Sequence, residues 1–118
     1  MKKVIIVDDD RDFLDELADF MEASNYEIIT LSDPKQVMNR ALEEKPDTII
    51  LDLKMEGMDG FQLACELKRS PSTRSIRLVA LTGYYMNAED KLRMMNCGFE
   101  DCVTKPVELL DLLSAIEA

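Results

Sequence analysis

The sequence contains no histidine. This absence excludes Ser-His and Cys-His nucleophile pairs and imidazole metal sites, and the chain cannot itself donate a phosphoryl group from histidine. Any reactive site must therefore be built from carboxylates, lysines, hydroxyl groups and hard metal ions.

Cysteine is also scarce. The three cysteines, Cys65, Cys97 and Cys102, are odd in number, show no C-x-x-C spacing and have apolar neighbours. These features favour reduced cysteines that pack in the core over a disulfide or a zinc site.

Basic residues are few, and long apolar runs are absent from the sequence. The chain has 14 basic against 24 acidic residues and a formal net charge of −10, so its field repels nucleic acid and anionic membranes. No apolar run approaches the roughly 20 residues of a membrane span, and Met1-Lys2-Lys3 leads into a short strand rather than a signal-peptide core. We therefore expect a cytoplasmic protein with no direct nucleic-acid binding and no membrane insertion.

Five short apolar runs alternate with five segments of helical periodicity, over a length that suits a single domain, residues 1–118. The predicted strands are Lys3–Val7, Glu27–Leu31, Thr48–Asp52, Arg77–Leu81 and Cys102–Thr104. The predicted helices run from about Arg11 to Ser24, Pro34 to Glu44, Asp59 to the polar loop Ser70–Ser75, Ala88 to Cys97, and Val107 to Glu117. Because parallel strands need crossover helices, this pattern predicts a flavodoxin-like α/β fold. We expect a (βα)5 three-layer sandwich with a five-stranded parallel sheet of order 2-1-3-4-5.

Polar residues follow four of these strands and should meet at the carboxyl edge of the sheet. They are Asp8 and Asp9, then Asp52, Thr82 and Lys105. Three converging acids repel one another unless a cation lies among them, and a carboxylate pocket without histidine suits Mg²⁺. A hydroxyl group and a lysine could neutralise the oxygens of a transferring phosphoryl group, with Asp52 as the nucleophile.

Each of these residues also has an ordinary interpretation. The Asp8–Asp10 triplet could be a solvated helix N-terminus, and Asp52 could be a turn residue or a helix cap. Thr82 could be a turn residue before Gly83, and Lys105 a surface lysine. Their joint occurrence at successive strand ends favours a functional site.

Four motifs then stand at the spacings of one known family. They are V-D-D at Val7–Asp9, L-D-L-K-M-E-G-M-D-G around Asp52, A-L-T-G at Ala80–Gly83, and T-K-P at Thr104–Pro106. On these motifs the whole chain resembles a receiver domain of the two-component response regulators, and in particular the chemotaxis-regulator type.

The resemblance implies that Asp52 accepts a phosphoryl group from the phosphohistidine of a sensor histidine kinase or a histidine phosphotransfer protein. It also implies that the surface formed by the fourth helix, fifth strand and fifth helix then changes and is recognised by a downstream protein target. Such a domain catalyses its own phosphorylation and dephosphorylation and turns over no separate substrate.

The resemblance also assigns ligands. Asp9, Asp52 and the backbone carbonyl of Lys54 would bind Mg²⁺ directly, and Asp8 would act largely through water. Thr82 and Lys105 would contact phosphoryl oxygens. The Lys105–Pro106 peptide bond is expected to be cis, which only X-Pro bonds adopt at small cost.

Three departures from the family pattern stand out. Glu56 occupies the usual position of a proline, which changes the stiffness of its loop. Cys102 stands where many members carry a switch Tyr or Phe. It is either an ordinary core residue or a functional substitution, in which case Tyr84 or Tyr85 is expected to take over the role of that ring. The last helix has no Lys or Arg, unlike the dimerising surface of many DNA-binding members.

Two other functions compete with the phosphoacceptor switch. One is a degenerate receiver that only docks to proteins, against which the retention of all five site residues argues. The other is a flavodoxin-type cofactor binder, which would need a Ser-, Thr- or Gly-rich loop in place of the acidic triplet.

Overall fold

The architecture follows from a computed structural model that describes residues 2–83 and 86–117. In chain order its elements are β1 (Lys2–Val7), α1 (Arg11–Met21), β2 (Tyr26–Leu31), a 3-10 turn (Pro34–Gln36), α2 (Val37–Glu44), β3 (Thr48–Asp52), β4 (Lys54–Met55), β5 (Met58–Asp59), α3 (Gly60–Arg69), β6 (Arg77–Thr82), α4 (Ala88–Asn96), β7 (Asp101–Thr104) and α5 (Leu109–Glu117).

The main sheet has five parallel strands in the order β2-β1-β3-β6-β7. The two short strands β4 and β5 pair only with each other, as an antiparallel hairpin. The five long strands therefore stand in the predicted 2-1-3-4-5 order. Helices α2, α3 and α4 pack on one face, and α1 and α5 on the other, so the three-layer prediction is confirmed.

The central strands are apolar along their length because both faces of the sheet are covered. Val4, Ile5, Ile6 and Val7 of β1 are all completely buried. Ile5 and Val7 belong to the cluster under α2 and α3, whereas Val4 and Ile6 belong to the cluster under α1 and α5. This alternation follows from the two-residue period of a strand.

The ends of the helices differ from prediction by a few residues. Helix α1 ends at Met21 rather than Ser24, because the Ser24 hydroxyl and backbone N–H both donate to the Met21 carbonyl, at 2.6 and 3.0 Å. The first turn of the second predicted helix is a 3-10 turn that begins at Pro34. Helix α5 begins at Leu109, two residues later than predicted.

The β4–β5 hairpin was not predicted. It pairs Lys54 with Asp59 and Met55 with Met58, and its turn places Gly57 at a φ of +81°. Two-residue strands are too short to produce a periodic pattern, so the sequence gives no sign of them. The hairpin carries the chain from the end of β3 directly into α3.

Helix α3 begins very close to the end of β3. The Asp59 carboxylate caps it by accepting from the Phe61 N–H at 2.9 Å. A Cβ atom at Gly60 would lie 2.6 Å from the Asp52 carbonyl oxygen and 2.8 Å from the Leu53 Cα. Gly60 is therefore required by the close approach of two backbone segments.

The helices are short in comparison with the thickness of a lipid bilayer. None in the described ranges 2–83 and 86–117 is long and apolar enough to cross a membrane.

Replacing Gly60 with alanine tests this packing. We expect Gly60→Ala to lower the free energy of unfolding by about 1–3 kcal/mol, because the added methyl group meets rigid backbone. Gly83→Ala is the matched control, since its Cβ would meet the Lys105 Cδ at an ordinary 3.6 Å. Urea unfolding of the two variants should separate them, and equal stabilities would contradict the assigned role of Gly60.

Candidate functional site

The carboxyl ends of four parallel strands meet at one edge of the sheet. Asp8 follows β1, Asp52 is the last residue of β3, Thr82 is the last residue of β6, and Lys105 follows β7. The pairing of Val7 with Leu51, of Asp52 with Leu81 and of Thr82 with Thr104 puts these ends at one level. The structure thus brings together the residues that the sequence placed at this edge.

Three carboxylates form the centre of the site. One oxygen from each of Asp8, Asp9 and Asp52 lies within 4.8 Å of the other two. Asp8 is completely buried, the Asp52 side chain is 9% exposed, and Asp9 is exposed. Since Asp8 and Asp52 are buried and Asp9 is exposed, the three acids line a crevice that opens to solvent on the Asp9 side.

Backbone N–H groups orient all three acids. The Asp10 N–H donates to Asp8 Oδ1 at 2.9 Å and the Lys54 N–H donates to Asp52 Oδ1 at 3.1 Å. The Glu56 N–H donates to Asp9 Oδ2 at 3.1 Å. Glu56 therefore joins the turn of the β4–β5 hairpin to the segment after β1 through its backbone, and this bond does not depend on its side chain.

Lys105 is the cation that faces these acids. Its Nζ lies 2.6 Å from Asp8 Oδ2 and 3.7 Å from Asp52 Oδ2. The same Nζ lies 4.5 Å from the centre of the Phe13 ring, a cation–π distance. The Lys105 backbone N–H donates to the Thr82 carbonyl at 2.7 Å, and the Lys105–Pro106 bond is cis, as expected.

The oxygen donors of the crevice fit a hard divalent cation. Asp8 Oδ2 is buried and accepts no hydrogen bond from the described residues, although Lys105 lies close enough for an ion pair. The cluster contains three carboxylates, and Lys105 supplies a single positive charge. Hard oxygen donors with excess negative charge fit a divalent ion such as Mg²⁺.

The electrostatics of the crevice act on Asp52. Burial raises its pKa from 3.8 to about 6, and the negative charges of Asp8 and Asp9 add to this rise. The hydrogen bond from Lys54 and the charge of Lys105 oppose it. A pKa of about 6 leaves Asp52 mostly ionised at neutral pH, as a nucleophile requires.

The pKa of Lys105 is raised, although burial alone would lower it. The close ion pair with Asp8 and the charge of Asp52 outweigh the burial. Lys105 is thus held as a cation beside the acids.

The other predicted residues are placed as follows. Thr82 is buried at the end of β6, and the Lys54 side chain is exposed. Cys102 lies half-buried on β7 and packs against the core on the α3 side. Tyr84 and Tyr85, the predicted replacements for the switch ring, lie outside the described residues.

Sequence reasoning missed one partner of the site and one contact between α4 and the start of α3. The Phe13 ring of α1 faces the Lys105 Nζ at a cation–π distance. Arg93 of α4 lies 2.6 Å from Asp59 and 4.3 Å above the Phe61 ring. No sequence spacing reports these contacts, because they join elements that are distant along the chain.

Comparisons with known proteins agree with this geometry. The family described as "Response regulator receiver domain" matches residues 4–117. The chain is 31% identical over 116 residues to response regulator PleD of Caulobacter vibrioides, covering 98% of the chain and 25% of PleD. It is 30% identical over 117 residues to the phosphate regulon transcriptional regulatory protein PhoB of Pseudomonas aeruginosa, covering 99% of the chain and 51% of PhoB.

Solved structures show the same fold. The signal receiver domain of a DNA binding response regulator (merR) from Colwellia psychrerythraea 34H superposes with a TM-score of 0.88 at 31% identity, covering 99% of this chain and 96% of that one. Vibrio cholerae chemotaxis protein CheY4 superposes with a TM-score of 0.91 at 24% identity, covering 99% and 97%, which supports the fold alone.

The chain therefore belongs to the response regulator receiver domain family of two-component signal transduction. Receivers of this family interact with histidine kinases or phosphotransfer proteins, and they generally bind Mg²⁺ at an acidic pocket. The chain spans about a quarter of PleD and about half of PhoB.

The raised pKa of Asp52 predicts a pH-dependent stability. Because its folded pKa of about 6 exceeds the ordinary 3.8, the folded state binds this proton more tightly. Protonated Asp52 therefore stabilises the folded state. This stabilisation is fully present below pH 3.8 and is lost as the pH rises through about 6. We expect Asp52→Asn to raise the free energy of unfolding at neutral pH by about 1–2 kcal/mol, after allowance for solvent screening.

Urea unfolding in chelator at acidic and neutral pH measures this effect. The increase in the free energy of unfolding of Asp52→Asn over the parent should be small near pH 4, about the unshifted pKa, and should reach its full value near pH 7.5. The control is Asp10→Asn, which keeps an equivalent cap on α1 and removes an acid outside the three-carboxylate cluster. An increase in the free energy of unfolding that is independent of pH would contradict the raised pKa of Asp52.

Proposed function

We propose that Asp52 is the phosphoacceptor of an Mg²⁺-dependent signalling switch. In this reaction a carboxylate oxygen of Asp52 attacks the phosphorus of a phosphohistidine on a sensor histidine kinase or a histidine phosphotransfer protein. The P–N bond to the donor imidazole breaks as the P–O bond forms. The observation that carries the proposal is the convergence of three acids, Thr82 and Lys105 at one sheet edge.

Each group has a role that its position supports. Asp8, Asp9, Asp52 and the Lys54 carbonyl would hold Mg²⁺, which supplies positive charge to the phosphoryl oxygens. Lys105 already lies between Asp8 and Asp52, so a short movement of its Nζ would reach a phosphoryl oxygen. The Thr82 hydroxyl would donate to another of these oxygens.

The signal would leave through α4, β7 and α5. Helix α4 has no buried residue, and its N-terminus lies a few residues after Thr82. Leu92 and Met95 of α4 are 59% and 68% exposed, and Leu110 of α5 is 77% exposed. A lightly anchored helix with exposed apolar side chains suits a surface that changes on phosphorylation and binds a downstream protein. That Tyr84 or Tyr85 reports the change stays a prediction.

Acetyl phosphate tests the phosphoacceptor. We expect the parent protein to gain about 80 Da, the mass of one phosphoryl group, only when Mg²⁺ is present. Asp52→Asn should gain nothing, because its amide is not a nucleophile. Asp10→Asn should behave as the parent, since Asp10 lies outside the three-carboxylate cluster. Intact-mass spectrometry with and without chelator measures all three.

Two outcomes would contradict this assignment. Labelling of Asp52→Asn to the parent level would show that another residue accepts the phosphoryl group. A parent that takes up no phosphoryl group from acetyl phosphate or from a phosphorylated histidine donor would indicate the alternative, a degenerate receiver that docks without phosphorylation.

Lys105 gives a second prediction because its charge has two opposite effects. Lys105→Gln removes the cation that already neutralises Asp8, so Mg²⁺ affinity should rise between about threefold and tenfold, equivalent to about 0.7–1.4 kcal/mol. The phosphorylation rate should fall, because a phosphoryl oxygen loses its cationic partner. Calorimetric titration and the acetyl phosphate rate measure the two effects separately.

Lys2→Gln is the matched control for charge. Lys2 is an exposed lysine at the first residue of β1, the end of the strand opposite the acids, so both quantities should stay at the parent values. A loss of both Mg²⁺ affinity and phosphorylation rate in Lys105→Gln would mean that Lys105 only maintains the shape of the crevice.

A further inference from the structure

A pair of cysteines lies at the other end of α4. Cys65 of α3 and Cys97, the residue that caps the C-terminus of α4, place their Sγ atoms 2.7 Å apart. Both are free thiols, 32 positions apart in the chain. Sequence reasoning correctly expected reduced cysteines, but it gave no reason to expect a direct contact between two of them.

The contact is held by interactions that do not involve sulfur. Lys68 lies on the same face of α3, one turn after Cys65, and its Nζ contacts the Ile76 carbonyl at 2.8 Å and Glu100 Oε1 at 2.9 Å. The other oxygen of Glu100 accepts from the Leu78 N–H at 2.6 Å. The segment after α4 is therefore fixed against α3 and the sheet whether or not the sulfur atoms are bonded.

A glycine permits this close approach. Gly98 directly follows Cys97 and has a φ of +90°. A Cβ atom there would lie 2.6 Å from the Lys68 Cγ. Gly98 thus both ends α4 and lets its terminus lie against the turn of α3 that carries Cys65.

The two thiols differ in their accessibility. Both cysteines line an open depression with Lys68, Arg69 and Asn96, but Cys65 is half-buried whereas Cys97 is only 8% exposed. Burial and the neighbouring Cys65 thiol raise the pKa of Cys97 to about 11. Cys97 is therefore a thiol at neutral pH, and Cys65 is the sulfur that a dissolved oxidant meets first.

We propose that Cys65 and Cys97 are a reversible redox pair that forms an intramolecular disulfide between α3 and the end of α4. The oxidant is a low-molecular-weight disulfide. The Cys65 thiolate attacks it, releasing one small thiol and forming a mixed disulfide. Cys97 then loses its proton and displaces the second small thiol. The two cysteines lose two electrons and two protons in total, and the oxidant is reduced to two thiols.

The disulfide would act on the helix that carries the proposed switch surface. Helix α4 has no buried residue, and the Arg93 contacts with Asp59 and Phe61 lie within its second half. A covalent bond at Cys97 would add a fixed point at the C-terminus and reduce the motion of the helix. This modification goes beyond the phosphoacceptor function and does not require it.

Oxidised glutathione tests the pair in the absence of any phosphodonor. We expect the number of titratable thiols to fall from three, the cysteine content of the chain, to one. The intact mass should fall by about 2 Da, the mass of two hydrogens, without dimerisation. Peptide mapping without reductant should find Cys65 joined to Cys97, and dithiothreitol should reverse the change. Hydrogen exchange of the α4 amides should be slower in the oxidised form.

Variants identify the sulfur atoms. Cys102→Ser is the matched control and should still lose two thiols, whereas Cys65→Ser and Cys97→Ser should each fail to form the internal link. A linkage to Cys102, a disulfide between two chains, or a parent that keeps three thiols under conditions that oxidise a model dithiol would overturn the proposal. An internal disulfide that leaves α4 exchange unchanged would overturn its proposed effect on the helix. The peptide map of the parent decides the question even if a variant fails to fold.

Discussion

The mutual repulsion of Asp8, Asp9 and Asp52 is the constraint on which the site depends. Two unit charges about 5 Å apart repel by about 3 kcal/mol at the effective dielectric constant of a protein surface. Asp8 and Asp52 are buried, and the pKa of Asp52 is raised first by this burial and then by the negative charges of Asp8 and Asp9. Lys105 relieves part of this repulsion, and the cluster keeps an excess of negative charge that fits a divalent cation.

Much of the surrounding structure serves to keep these acids together. The central strands end at the same level because their apolar side chains are covered on both faces and fix the register. Backbone N–H groups from Asp10, Lys54 and Glu56 then hold one oxygen of each acid. Gly60 lets α3 begin against the carbonyl of Asp52. A rigid scaffold of this kind maintains an arrangement of charges that would otherwise separate.

Helix α4 differs from this scaffold because it buries little. It follows the loop from Thr82 at one end and contacts Cys65 of α3 through Cys97 at the other. Between these ends, Arg93 supplies an ion pair with Asp59 and a contact with the Phe61 ring. Met94 adds a partly buried apolar contact with the core. An element that buries so little can shift at small cost in free energy. Both proposals therefore concern this helix, one through phosphorylation and the other through oxidation.

The sequence by itself determined the five-stranded parallel sheet, its order and the convergence of Asp52 with Thr82 and Lys105. This was possible because parallel strands end at a shared edge, so strand ends alone locate a site. Only the tertiary structure decided that Lys105 pairs with Asp8 and that Cys65 meets Cys97. It also revealed the β4–β5 hairpin, which is too short for a periodic signal. Such contacts depend on side-chain direction and on how closely two helices approach, and hydrophobic periodicity carries no information about either.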